Sequence, residues 1–485
     1  MVDENLYRIK KYSDDTAFSC ISKHFITLKD EEIKANNQHL HNVVSQGLIP
    51  LMKEDTLFKD IYRNIKYEGS YFKGTKVAKP DEYDLNLSMK LPLNYNELQV
   101  ETNHKHFSYV KIKVNSESKL PKWEEHSKIL NKWLSDKNYL NQNKFHQWME
   151  AIMTNTYKKL KKSDNFYELE VDGKNYRIKQ FKKSGPAFTI FVELGDHPTL
   201  MSMDIVPCLE LNDIILQGYK TFPDVSPSKC VVAKPISKEP EGEFLWRLSF
   251  YEQEKQILSN SEVSKLKVVV KMIKKLRDQL NYKPLASYYI ETIFLHEIAK
   301  RKSDVDFFRA SKTSLFIYML QKLIQALEKK CIPYFWHEGH NLIGHLQPPV
   351  IENYANRLKN ILLSIDKKIV DDRFAMAEFL LNEEEKKNLL EIVESSKTNG
   401  SDTQNLEKSE VIKKIKHVIN DGKNKENQNS FATIVTHAII DRKENDLERR
   451  IAFVCEELKN LGQMKEQIPL ADLNKLSESF KIMFS

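Results

Sequence analysis

The sequence predicts an α+β protein in which strands dominate the first half and helices the second. Three observations carry this. Residues 67–91, 188–194 and 201–211 alternate apolar and polar side chains as strands do, with turn residues such as Gly195-Asp196-His197-Pro198 between two of them. From residue 249 onward the pattern changes: 264–280, 286–300, 314–329 and 351–365 each carry the apolar spacing of a helix. Ahead of the strands, Thr27 reads as a helix cap, and Asp30, Glu31 and Glu32 suit the positive end of a helix. Leu40, Val43, Val44, Leu48 and Leu51 then line one face of a long helix, which Pro50 should bend or end.

The 485 residues suffice for two or three packed units, and 41% hydrophobic content is ordinary for a globular chain. No apolar run approaches the roughly 18 residues needed to cross a bilayer. The nearest, 315–327, is broken by Gln321 and Lys322 and reads as a buried amphipathic helix. Asp3 and Glu4 stand where a secretory leader would carry basic residues, and the five cysteines (20, 208, 230, 331 and 455) fall at neither metal nor redox spacing. The expectation is a cytoplasmic protein with reduced thiols, away from membranes. A net charge of +7, from 75 basic and 68 acidic residues, permits nucleic-acid binding without requiring it. Residues 395–430, rich in Ser, Asn, Lys, Gly and Glu, read as a flexible linker before a further helical segment at 431–485.

The chemistry is concentrated in Gly69-Ser70-Tyr71-Phe72-Lys73-Gly74-Thr75 and the following Glu82-Tyr83-Asp84-Leu85-Asn86-Leu87. In a strand Glu82 and Asp84 point the same way, while Tyr83, Leu85 and Leu87 face the core. Adjacent carboxylates repel, and burying them costs several kcal/mol unless a cation is supplied. Mg²⁺ or Mn²⁺, bound by oxygen, fits that need. Asp204, inside the apolar strand Met201-Ser202-Met203-Asp204-Ile205, demands the same explanation. Three carboxylates on neighbouring strands can hold two ions, and Gly69-Ser70 supplies a backbone able to approach phosphate together with a hydroxyl donor. A Glu-x-Asp pair alone also fits the solvated face of an edge strand; the Gly-Ser turn and Asp204 weigh against that.

These motifs resemble the cyclic GMP–AMP synthase-like, Mab-21 nucleotidyltransferase family: Gly-Ser, Glu-x-Asp after a fixed gap, then a third Asp after Ser184-Gly185-Pro186-Ala187. The likeness continues through Trp246-Arg247-Leu248-Ser249, Ser287-Tyr288-Tyr289 and Ile332-Pro333-Tyr334-Phe335, covering roughly 27–370. It implies a two-lobed, polymerase-β-like nucleotidyltransferase core with a long spine helix plus a helical C-terminal lobe. The divisions it suggests are an N-terminal extension at 1–26, the core at 27–225, the helical lobe at 226–372 and a C-terminal extension at 373–485. It further implies that Glu82, Asp84 and Asp204 bind two Mg²⁺ or Mn²⁺ ions. Gly69, Ser70 and Lys274 would then serve the nucleotide phosphates, Ser287 would be a further nucleotide contact, Tyr288 would stack on a base, and Arg247 and Glu254 would lie near the second purine. ATP and GTP would be the substrates, and a cyclic dinucleotide read by a STING-like receptor in innate antiviral immunity the product.

The vertebrate zinc ribbon is missing, since Leu258 passes through Ser259-Asn260-Ser261 to Ser264. No zinc is therefore expected; His337, His340 and His345 lack the His-Glu-x-x-His spacing. The resemblance then favours insect-type relatives and double-stranded RNA over DNA as activator. Lys267, Lys271 and Lys275 fall four apart on one helix, with Lys255 before it and Lys29 opening the spine. In the resemblance this surface grips a nucleic-acid backbone, with a dimer on nucleic acid a possibility; a solvated helix face is the plain alternative. Two other functions share parts of the pattern: a non-catalytic Mab-21-like scaffold, and a template-independent oligonucleotide synthase.

Overall fold

The computed structural model describes residues 6–395, apart from 78–81, 103–104, 195–196, 213, 235 and 237–238. Residues 1–387 form one compact unit and 388–485 another. The linker and terminal helices expected at 395–485 fall almost wholly outside the described residues.

Among the described residues, twelve strands build one sheet: β1 (Tyr62–Glu68), β2 (Glu82–Met89), β3 (Gln99–Thr102), β4 (Tyr109–Lys113), β5 (Lys161–Ser163), β6 (Phe166–Val171), β7 (Lys174–Lys179), β8 (Lys182–Ser184), β9 (Ala187–Leu194), β10 (His197–Glu210), β11 (Cys230–Val232) and β12 (Trp246–Ser249). β10 is the hub. It pairs parallel with β2 and antiparallel with β9 and β11. The alternation predicted for these strands holds. Tyr83, Leu85, Leu87, Met203, Ile205, Phe188 and Ile190 are all buried, which leaves Asp84, Asp204 and Thr189 on the opposite face.

The spine runs helically from Asp30 to Met52 as Asp30–Leu40, a π-helical stretch His41–Leu48 and the last turn Ile49–Met52. Pro50 sits in that last turn; it has no N–H to give the preceding turn, and the widened π segment lies directly upstream. Leu40, Val43, Val44 and Leu48 are buried. A Cβ on Gly47 would stand 2.5 Å from Leu169 Cδ2, so a side chain there would have to displace the Leu169 side chain of β6. Asn42 Nδ2 donates to the Tyr176 hydroxyl on β7 at 2.9 Å.

The helical lobe contains Ser264–Gln279, Ser287–Lys300, Lys312–Glu328 and Pro348–Lys368, within a few residues of the predicted bounds. Residues 6–26 are built into this lobe. Tyr7 donates to Asp304 at 2.9 Å and packs edge-on against Phe307 and Tyr318. Both Asp15 carboxylate oxygens accept backbone N–H groups at the start of the Lys312–Glu328 helix, and Phe18 and Ile21 are fully buried.

Candidate nucleotidyltransferase site

The Gly-Ser turn follows β1 directly. Gly69 has φ +76°, and a Cβ there would lie 1.9 Å from Asp84 Oδ2. Glycine is thus required twice, for the left-handed backbone and for the close approach to the carboxylate. Residues Gly69–Phe72 form one helical turn carrying Ser70. It is held by the Tyr251 hydroxyl donating to the Gly69 carbonyl at 3.0 Å, and by the Thr75 N–H donating to the Ser70 carbonyl at 2.8 Å.

Asp84 and Asp204 are register partners on the parallel strands β2 and β10. Asp204 Oδ1 accepts from Thr189 Oγ1 at 2.6 Å, which orients it. Burial pushes the Asp84 carboxyl up, and the Asp204 charge pushes it further, against Lys76 and Lys73. Two acids facing each other on a half-buried sheet are a negative charge in need of a cation. Their oxygen donors, set beside the Gly-Ser turn, suit Mg²⁺ or Mn²⁺. Glu82 is exposed, two residues earlier and opposite Ser202. Among the described residues the three carboxylates do not close to within 4.8 Å of one another; the group that does is Asp60, Glu125 and His126, a separate cluster in which Asp60 pairs with Lys122 and His126.

The predicted nucleotide contacts divide. Tyr288 is fixed through its hydroxyl, which donates to Glu254 Oε1 at 2.8 Å; Trp336 Nε1 donates to the same oxygen at 2.9 Å. Glu254 is itself only 4% exposed, so it supports the wall of the site from behind. Arg247 on β12 is half-buried, and its charge acts on Tyr109, Tyr288, Tyr289 and Tyr334. Ser287 Oγ accepts from Arg277 Nη1 at 2.7 Å.

Lys274 departs from expectation. Its ammonium is 2% exposed and donates to Glu291 Oε1 at 2.5 Å and to the Thr75 carbonyl at 3.2 Å, so it is committed inward rather than offered to the cleft. Val270, Ile273 and Leu276 are buried around it on the helix. That apolar setting, four residues from Val270 and one from Ile273, was the available signal of its burial.

The lysine stripe is brought together in part. Burial lowers Lys267, with Lys255 adding to the effect, and burial lowers Lys271, with Lys267 adding to it, so these three ammonium groups share one field. Lys267 also borders the 69–75 turn, its Cδ 3.9 Å from a Cβ built on Gly74. Lys275 is turned to Glu385 at 2.5 Å, and Lys29 stands exposed just ahead of the spine helix. His337 stacks on Phe107 with ring centroids 4.1 Å apart. Sequence reading missed Lys73, Thr75, Thr189, Tyr251 and Glu291, which hold the carboxylates and the turn through contacts distant in sequence.

Comparison with known proteins agrees with this geometry. The Mab-21 protein nucleotidyltransferase domain matches residues 71–260, and the Mab-21 protein HhH/H2TH-like domain matches 265–360. A cyclic GMP-AMP synthase-like receptor of Microplitis demolitor is 32% identical over 465 residues, 95% of this chain and 86% of that protein. Those of Tribolium castaneum (32% identical; 75% of this chain, 91% of that protein) and Aethina tumida (29%; 76% and 92%) are similar to it as well. No helix among the described residues is long and apolar enough to cross a membrane. With a Gly-Ser turn pressed against facing aspartates and a helical lobe behind them, the chain belongs to the Mab-21 nucleotidyltransferase family, in its group of cyclic GMP–AMP synthase-like receptors.

Proposed function

We propose that this protein joins ATP and GTP into cyclic GMP–AMP, with a 2′3′ or 3′2′ linkage, and that double-stranded RNA switches it on in innate antiviral signalling. The observation that carries the reading is the in-register Asp84–Asp204 pair beside Gly69. Glu82, Asp84 and Asp204 would hold two Mg²⁺ or Mn²⁺ ions, whose chemistry when bound is to activate a hydroxyl and neutralise a triphosphate. Thr189 keeps Asp204 turned toward its partner. Ser70, at the start of a helical turn, offers its hydroxyl and backbone N–H to phosphate, and Tyr288, braced by Glu254, offers its ring to a base. Arg247 supplies a cation to the second purine. The names of the relatives support the dinucleotide product.

Lys255, Lys267 and Lys271 would take the RNA backbone, reading phosphate and A-form shape rather than sequence. A shift of the Ser264–Gln279 helix would carry the signal to the Gly-Ser turn, a two-state element biased by ligand. The setting is the cytoplasm, with a STING-like receptor downstream and a dimer forming on the duplex.

The test is incubation with labelled ATP and GTP, with and without long double-stranded RNA, followed by phosphatase. RNA-dependent, phosphatase-resistant product is expected. Linear, phosphatase-sensitive product would instead indicate an oligonucleotide synthase, and no product under any activator would indicate a scaffold.

A further inference from the structure

At the root of the Gly-Ser turn, four charged side chains meet in a buried cluster. Lys73 Nζ donates to Glu254 Oε2 at 2.7 Å and to Glu291 Oε2 at 3.3 Å. Lys274 Nζ donates to Glu291 Oε1 at 2.5 Å and to the Thr75 hydroxyl at 3.3 Å. The Thr75 hydroxyl donates in turn to Glu291 Oε1 at 2.8 Å. None of the four is more than 5% exposed. Two ammonium groups face two carboxylates, so the cluster is electrically balanced. Burial alone would raise the Glu291 carboxyl, yet Lys73 and Lys274 hold it at about 2.

The cluster joins separate parts of the chain. Lys73 and Thr75 belong to the catalytic turn, Glu254 to the Tyr251–Ser259 helix, Lys274 to the Ser264–Gln279 helix and Glu291 to the Ser287–Lys300 helix. Only the balanced state is stable there, because removing one partner leaves an uncompensated buried charge. Deepening the proposed nucleotidyltransferase function and resting on it, we propose that Lys274 and Glu291 are positioning residues: with Lys73 and Glu254 they latch the 69–75 turn to the helical lobe and so set the place of Ser70. Lys274 then acts on the reaction through the turn and does not touch phosphate. The latch sits on the helix whose Lys267 borders Gly74, so movement of the basic stripe reaches Ser70 through it.

The test is a charge-balance rescue in the full chain. Lys274→Met alone and Glu291→Gln alone each leave an unpaired charge. Each is expected to lower kcat for pyrophosphate release from ATP and GTP by about tenfold or more, with KM changed by less than about threefold. Each should also speed hydrogen exchange across residues 69–77. The double variant leaves Lys73 and Glu254 paired, and the amide oxygen introduced by Glu291→Gln can still accept from the Thr75 hydroxyl. It should recover to within about threefold of the original kcat, with exchange slowed again. If Glu291→Gln does not fold, Thr75→Val should speed exchange across the same residues. A double variant as inactive as Lys274→Met alone would assign Lys274 to phosphate and overturn the latch, as would single variants or Thr75→Val exchanging like the original. Protection of 69–77 that follows this pattern in a protein releasing no pyrophosphate would sink the nucleotidyltransferase reading and leave the latch standing.

Discussion

Two clusters of charge flank the Gly-Ser turn, and they are built on opposite rules. On the sheet, Asp84 and Asp204 face each other across a parallel pair, like beside like, and burial pushes Asp84 up. Beneath the turn, Lys73, Glu254, Glu291 and Lys274 alternate in sign and bond one another at 2.5–3.3 Å. The balanced cluster is complete without help from outside. The unbalanced one would be completed by cations, which on the proposed function ties its stability to its chemistry. A buried charge is therefore architectural or chemical according to what compensates it.

The comparison breaks most visibly if the two clusters respond alike to substitution. Asp84→Ala or Asp204→Ala should cost about a thousandfold or more in nucleotide transfer, since each removes charge that the ions require. Thermal melting without metal should stay level or rise, because repulsion is relieved; activity near that of the original protein would refute the assignment. Lys73→Met should do the reverse. It leaves Glu291 to Lys274 and strands the buried Glu254 without a cation, and urea unfolding should show a loss of about 3–5 kcal/mol.

Gly69→Ala probes the boundary between the clusters. Its new methyl would collide with Asp84 Oδ2, and the backbone would be strained by about 1–3 kcal/mol. Turnover should fall by roughly tenfold to a hundredfold with little loss of secondary structure by circular dichroism. Lys267→Glu with Lys271→Glu touches neither cluster. It should weaken double-stranded RNA binding by roughly tenfold or more, flatten the salt dependence and abolish RNA stimulation, while Mn²⁺-supported basal activity persists. Full stimulation in that variant, or stimulation by DNA alone, would return the stripe to an ordinary solvated face. The smallest effect is expected from ending the chain at Glu394: the 1–387 unit contains the site and should keep its melting temperature and activity.

Much of this was legible because it is local. The period-two pattern around Asp84 and Asp204 marked Tyr83, Leu85, Leu87, Met203 and Ile205 as core, though not that Asn86 and Ser88 on the other face are buried too, and the four long helices followed from their apolar spacing. What escaped depends on partners far apart in the chain. Helix phase showed that Lys274 leaves the Lys267–Lys271 stripe, yet its partner Glu291 belongs to the next helix, where nothing in the spacing marks it. Tyr7 and Asp304 stand 297 residues apart, so the weakly patterned N-terminus gave no sign that it belongs to the helical lobe. Thr189 reads as one more strand residue until register places it opposite Asp204.

The central claim is that Asp84 and Asp204 form the cation site. Mn²⁺ binding followed by electron paramagnetic resonance, in the presence of ATP, tests it without relying on turnover. Asp84→Asn with Asp204→Asn should release the ion while the melting temperature is kept. Asp60→Asn, in the separate Asp60–Glu125–His126 group, should leave binding intact. Undiminished Mn²⁺ binding in the first variant, or its loss only in the second, would contradict the account.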